Sequence, residues 1–204
     1  RASYLDYIGI KIFDDDGVVV GEHRFLGLFT SLATHAPLSD IPVVRTKLDR
    51  VLELSGFATE THSARDLRSV LESYPRDEVF QADADHLAEV AAKVTATRFR
   101  GQTQLFARAD AYGRFLSCTV LMPRERYNTA VRVRIQDILM RALNGSHVEF
   151  STRVSDAMPA MVYYVVRRDA EEAAVPVDLD ELQDWLRAAV RTWEGDWARA
   201  MATA

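Results

Sequence analysis

The stretch His23-Arg24-Phe25-Leu26-Gly27-Leu28-Phe29 decides the reading of the fold, because Gly113-Arg114-Phe115-Leu116-Ser117-Cys118-Thr119 resembles it at an offset of 90 positions. A β-rich run closed by an Asp-containing turn precedes each copy. In the first, Ile8-Gly9-Ile10-Lys11-Ile12-Phe13 leads into Asp14-Asp15-Asp16-Gly17. In the second, Leu105-Phe106-Ala107-Arg108-Ala109 leads into Asp110-Ala111-Tyr112-Gly113. Both combinations predict hairpins, since Asp and Gly favour the turn while the flanking runs favour extended backbone. A proline-initiated helix is predicted after each copy. One runs from Pro42 through Val44, Leu48, Val51 and Leu52, the other from Pro123 through Tyr127, Val131, Ile135, Ile138, Leu139 and Ala142.

The second copy continues further. Val148, Phe150, Thr152 and Val154 alternate with Glu149, Ser151 and Arg153, which predicts a strand with one apolar face. Met161 to Val166 is too apolar on both faces for an exposed edge. A helix from Asp83 to Ala96 precedes this copy, so the order is α-ββ-α-ββ-α. That order predicts an α+β fold, an antiparallel sheet with helices layered on one face, as in ferredoxin-like folds. In the first copy a helix over Thr61 to Tyr74, with Ala64, Leu67, Val70 and Leu71 apolar, stands where strands would follow, and Pro75 ends it. The expected organisation is a divergent or truncated module with a helical extension at 1–80 and a second module at 81–170. An amphipathic helix follows at 177–201, carrying Leu179, Leu182, Trp185, Leu186, Val190, Trp193 and Trp197.

With 204 residues, 48% hydrophobic and 27% charged, the chain has enough apolar material for one large domain or two small ones. Lys+Arg 25 against Asp+Glu 30 gives −5, which argues against nucleic acid or an anionic membrane as main partner. No window approaches the ~18 consecutive apolar residues of a membrane helix. The start, Arg1-Ala2-Ser3-Tyr4, has neither Met nor a signal-peptide pattern, so the chain reads as an excised piece. The single Cys118 excludes an internal disulfide framework and fits a reducing cytosol, predicting a cytoplasmic protein.

The nine glycines never fall in G-x-G-x-x-G or G-x-x-x-x-G-K-[ST] spacing, so no nucleotide cradle is predicted. His23, His35, His62, His86 and His147 show no H-E-x-x-H and no Cys partner, and no metal site is expected. Asp14-Asp15-Asp16 lacks the alternating ligands of a calcium loop and reads as a solvated turn. Cys118 reads as a core cysteine. Arg124, Arg126, Arg132, Arg134 and Arg141 read as a solvated helix face with ion pairs. Arg108, Asp110 and Arg114 surround the second hairpin turn, and Glu22 and Arg24 flank the start of the first repeat's second strand. These five are the candidate effector-binding residues, able to hold a carboxylate or an amine by charge-assisted bonds. Cross-strand ion pairing explains them equally well. No catalytic residue is predicted.

Three phrases carry a resemblance to a known family: Gly21-Glu22-His23-Arg24-Phe25-Leu26-Gly27-Leu28-Phe29-Thr30, Tyr74-Pro75-Arg76-Asp77-Glu78-Val79-Phe80-Gln81, and Pro123-Arg124-Glu125-Arg126-Tyr127 with the later Arg134-Ile135. In that order they resemble the N-terminal, non-catalytic region of the large bacterial NAD-specific glutamate dehydrogenases, from about Tyr4 to Arg168. The resemblance implies ACT-type modules, ferredoxin-like units often used to sense amino acids, then a helical segment and only later a catalytic domain. It implies a parent enzyme that converts L-glutamate and NAD to 2-oxoglutarate, ammonia and NADH, with other domains and subunits as partners of this piece. NAD would be a cofactor of the parent and not of this chain, and no active-site residue of the family matches a position here. The functional expectation is a regulatory or assembly module, sensing an amino acid or only building the oligomer. A freestanding ferredoxin-like enzyme is the competing reading, and needs polar groups of shifted protonation. A nucleic-acid module is the other, and needs Phe106, Phe115, Tyr163 and Tyr164 exposed for stacking.

Overall fold

A computed structural model describes residues 5–57, 61–110, 112–154, 159–168 and 177–191. The chain forms two compact units, 1–45 and 46–204. In the first, β1 (Asp6–Phe13) pairs antiparallel with β2 (Val19–Gly27) as a two-stranded sheet. Asp14 makes the turn: its Oδ1 accepts from the N–H groups of Asp16 at 3.1 Å and Val18 at 2.8 Å. Gly17 takes a φ of 77°, a left-handed conformation that favours glycine. The register sets Ile8 opposite Phe25 and Ile10 opposite His23, and Ile8, Ile10, Ile12 and Phe25 all stay exposed. A short helix α1 (Ser31–His35), a 3-10 turn at Leu38–Asp40 and the first residues of α2 (Pro42–Ser55) complete this unit.

The second unit continues α2 and adds α3 (His62–Ser73), α4 (Arg76–Gln81) and α5 (Ala84–Arg100). Thr61 caps α3, its hydroxyl oxygen accepting from Ala64 N–H at 3.2 Å, and the stripe Ala64, Leu67, Val70 and Leu71 is buried. Pro75 separates α3 from α4 because it has no N–H to continue the first helix. Then come β3 (Gln104–Ala109), β4 (Phe115–Met122), α6 (Thr129–Ala142), β5 (His147–Arg153), β6 (Ala160–Arg167) and α7 (Leu179–Val190). The strands form an antiparallel sheet in the order β3-β4-β6-β5. Read from β4, this is β-α-β-β-α with its last strand supplied from the front by β3, a permuted ferredoxin-like unit. The fold is therefore α+β, and β6, the run too apolar for an edge, is central.

Alternate residues of the central strands face opposite ways. Cys118, Val120 and Met122 of β4 and Val162, Tyr164 and Val166 of β6 share a cluster with Val131, Ile135 and Leu139 of α6 and Leu182, Leu186 and Val190 of α7. This is the expected helical layer. The opposite face is buried too: Phe115, Ser117, Thr119, Leu121, Met161 and Tyr163 are all nearly inaccessible. Tyr74, just past α3, and Glu78 of α4 reach it.

Three readings from the sequence need correction. Pro123 does not start α6; it opens a 3-10 turn at Arg124–Arg126, and the helix begins only after Asn128. Asn128 is extended and its side chain takes the Val131 N–H at 2.9 Å, which fixes the helix start. The repeat is also misregistered. Arg24 sits mid-strand opposite Gly9, whereas Arg114 lies in the turn, and the matched turns Asp14–Gly17 and Asp110–Gly113 stand 96 positions apart, not 90. The hairpin is duplicated, but the phrase that revealed it is not structurally equivalent. Lastly, the arginines near α6 do more than solvate it. Arg134 donates to the Ala189 carbonyl at 3.0 Å, and the Arg132 guanidinium lies 3.9 Å from the Phe150 ring centroid. Trp193 and Trp197 lie outside the described residues; Trp185 on α7 is exposed.

Candidate functional site

The face turned away from α6 carries polar residues on adjacent strands. Arg108 of β3 stands opposite Ser117 of β4, and Thr119 of β4 stands opposite Tyr163 of β6. Glu78, in the first turn of α4, descends onto this patch and is only 1% exposed. Its Oε1 accepts from Arg108 Nε at 2.5 Å and its Oε2 from Arg108 Nη2 at 3.0 Å, a two-pronged pair. Tyr163 OH donates to Oε2 at 2.8 Å, and Ser117 OH lies 3.1 Å from Oε1 and 3.3 Å from the Arg108 carbonyl oxygen. A carboxylate has about four lone-pair positions. All are engaged here.

Neighbouring groups brace the hub. Tyr74, at the end of α3, shares a hydrogen bond of 2.8 Å with Thr119, and Arg108 Nη2 reaches Gln81 Oε1 at 3.3 Å. Lys47 of α2 donates to the carbonyl oxygens of Val79 and Phe80, both at 2.9 Å, and of Ala82 at 2.7 Å, tying down the C-terminal end of α4. Burial lowers the Lys47 pKa, against the pull of Asp83. Burial also works against charge on Arg108, but the bonds from Glu78 outweigh it and hold the guanidinium protonated. Burial and then the Glu78 charge push the Tyr163 hydroxyl well above the ordinary tyrosine range, so it remains a donor. A buried ion pair repays its desolvation only when its remaining bonds are satisfied.

Within the second unit, Arg108, Asp110 and Arg114 divide between two ion pairs. Arg108 belongs to the hub. Asp110 and Arg114 form their own pair at the turn: Arg114 Nε reaches Asp110 Oδ2 at 2.8 Å and Nη2 reaches Oδ1 at 3.0 Å. The N–H groups of Tyr112 and Arg114 add bonds of 3.2 Å each to Asp110 Oδ2. The Arg114 bonds hold the Asp110 carboxyl below its usual range although burial opposes them. Glu22 and Arg24 lie in the first unit, where Tyr7 OH donates to Glu22 Oε1 at 2.6 Å and Arg24 Nε to the same oxygen at 2.5 Å. Both bonds, Tyr7 first, lower the Glu22 pKa on an exposed surface.

Sequence reasoning missed Glu78, Ser117, Tyr163 and Lys47. Glu78 sat in a phrase quoted only for its family resemblance. The available signal was a polar series, Ser117 and Thr119, alternating with the apolar core positions Cys118 and Val120. Cys118 is fully buried and its thiol is pushed up to about 12 by burial, as a core cysteine requires. Phe106, Phe115, Tyr163 and Tyr164 are buried and offer no stacking surface.

Among the described residues no glycine-rich turn follows a parallel strand, the usual dinucleotide cradle. The sheets are antiparallel, and the left-handed glycines Gly17, Gly56, Gly101 and Gly113 stand singly. The N-terminus of α6 is already capped by Asn128. Among the described residues no helix is long and apolar enough to cross a membrane, and no group of three His, Cys, Asp or Glu side chains is placed to hold a metal ion.

Two family models match. Residues 104–194 match the glutamate dehydrogenase ACT2 domain, covering β3 through α7, and residues 41–100 match glutamate dehydrogenase helical motif 1, covering α2 through α5. The chain is 36% identical over 200 residues to the NAD-specific glutamate dehydrogenase of Halomonas elongata, covering 98% of this chain and 12% of that protein. It is 37% identical over 198 residues to the Pseudomonas aeruginosa protein of the same name, covering 97% and 12%. For the Mycobacterium tuberculosis protein the figures are 36% over 219 residues, covering 99% and 13%. No solved structure matches the chain. The chain thus spans about an eighth of the curated relatives it matches, and the Glu78 hub joins the segment matched by one model to the sheet matched by the other. With both models in order and over a third of residues identical along nearly its whole length, the chain belongs to the NAD-specific glutamate dehydrogenase family, to its helical-motif and ACT2 region.

Proposed function

We propose that this chain is a non-catalytic regulatory and assembly region of a large, cytoplasmic NAD-dependent glutamate dehydrogenase. The parent reaction, L-glutamate with NAD to 2-oxoglutarate, ammonia and NADH, is assigned to domains other than this one. The supporting observation is the Glu78 hub, which fastens the helical motif to the ACT2 sheet through a buried, fully satisfied ion pair. Such a joint fixes one element against another, as a scaffold or a transmitter of regulation needs. The β1–β2 hairpin and the helices after it are assigned to the divergent first module of residues 1–80. Other domains and subunits of the parent are the expected partners, with a free amino acid as effector.

The test uses the full-length enzyme carrying Glu78→Gln. The expected outcome is a changed subunit mass by light scattering, or a changed response to a panel of serine, aspartate, leucine, arginine and glutamate, with kcat at saturating substrate within about 2-fold. A kcat lowered by orders of magnitude, with assembly and effector response unchanged, would overturn the reading.

A further inference from the structure

Four donor atoms of the ACT2 sheet converge on a single carboxylate: Arg108 Nε and Nη2, Ser117 Oγ and Tyr163 Oη, at 2.5 to 3.1 Å. They come from three adjacent strands, β3, β4 and β6, and the sheet sets their spacing. The carboxylate comes from elsewhere. Glu78 belongs to α4, a helix of six residues set off by Pro75. The donors are therefore a property of the sheet and the acceptor is a visitor brought by the helical motif. A two-pronged guanidinium flanked by two hydroxyls is what a free carboxylate requires of a binding site.

We propose that Arg108, Ser117 and Tyr163 form a carboxylate-binding site on the ACT2 sheet, with Glu78 as its tethered occupant and a free small carboxylate as the ligand that can replace it. The site discriminates by charge and shape together. Two parallel N–H bonds from one guanidinium fit a planar carboxylate and not a spherical anion. Tethering gives Glu78 a high effective concentration, so a free carboxylate competes only when α4 is weakened or the ligand is abundant. The inference rests on the hub geometry alone, and it holds whether the parent region senses an effector or only assembles.

Removing Glu78 exposes the site to test. In Glu78→Ala the atoms deleted beyond Cβ are one methylene and one carboxylate, the size of acetate. In this chain, acetate is expected to raise the melting midpoint of Glu78→Ala saturably, by about 3–6 °C once it reaches ~10 times its Kd. Sodium chloride at equal ionic strength, acetate on Glu78→Gln, whose carboxamide still fills the space, and acetate on the double variant Glu78→Ala, Arg108→Gln should each give no saturable rise. An equal rise in chloride, or in either control variant, would show a general salt effect and overturn the site. Should Glu78→Ala fail to fold in chloride, a cooperative melt recovered in acetate supports the proposal. Failure in both salts, with Glu78→Gln folded, overturns it. None of these outcomes bears on the mass or kcat of the full-length enzyme, so the site and the assembly reading fail separately.

Discussion

In the β1–β2 hairpin Asp14 accepts the N–H groups two and four residues on, Asp16 and Val18, and Gly17 N–H closes back on the Asp14 carbonyl at 3.0 Å. In the β3–β4 hairpin Asp110 accepts those of Tyr112 and Arg114, and Gly113 N–H closes on the Asp110 carbonyl at 2.9 Å. The glycines have φ values of 77° and 69°. The Asp and Gly backbone bonds are thus shared by both turns, although Asp110 also pairs with Arg114, yet Val19, which follows the first turn as Phe115 follows the second, is 48% exposed while Phe115 is 5% exposed. The difference lies in what the strands receive. β4 has β6 beside it, α6 and α7 on one face and Tyr74, with Glu78 of α4, on the other, whereas β1 and β2 have only each other in their sheet. A turn motif nucleates a hairpin, but tertiary packing decides whether that hairpin is stable, and two strands alone are marginal.

The comparison breaks most sharply in the ACT2 core. Ile135 is fully buried between the helices and the sheet, so Ile135→Ala is expected to cost about 2–5 kcal/mol, read as a lowered urea midpoint. Native-state hydrogen exchange should show the same contrast without mutation. β4 amides should be protected to near the global unfolding limit, and β1 amides should exchange by local opening. Equal protection in both hairpins would mean that the first is stabilised as fully as the second.

Next come the turns. Asp110→Ala removes both the Arg114 partner and two backbone bonds at a buried carboxylate, for about 1–3 kcal/mol, tempered because Arg114 is partly in water. Asp14→Ala, on an exposed turn, should move the main transition by under about 0.5 kcal/mol. The Asp110 carboxyl titrates below its ordinary value when folded. Its contribution is therefore complete above the unfolded value of about 4 and is lost as pH falls through the folded one. The acid limb of the stability curve should flatten in Asp110→Asn.

Much of this was legible from residue types, and the failures share a cause. Periodicity located α3, α5, β5 and β6, because each has an apolar pattern fixed by its own helix or sheet face. The phrase around Arg24 and Arg114 was matched on identity, but structural equivalence follows the turn, and the Asp-x-x-Gly spacing was the better anchor. Glu78 was invisible for a different reason. A glutamate in a first helical turn looks solvated, and only the pairing of β3, β4 and β6 brings three donors from distant stretches under it. Long-range pairing is not written in any local window.

The smallest effect is the most discriminating. Gly17 and Gly113 share left-handed backbone and have no atom within 4 Å of an added Cβ, so the local strain of Gly→Ala is the same at both, about 1 kcal/mol. If burial, and not turn chemistry, separates the hairpins, Gly113→Ala should lower the global stability by that amount, read as a lowered urea midpoint. Gly17→Ala should leave it in place and only speed exchange of β1 amides. Strain placed in a hairpin that opens locally is released before the chain unfolds as a whole, whereas strain in β3–β4 persists until the ACT2 sheet comes apart. Equal shifts of the global midpoint would couple the first hairpin to the same cooperative transition and would refute burial as the source of the difference.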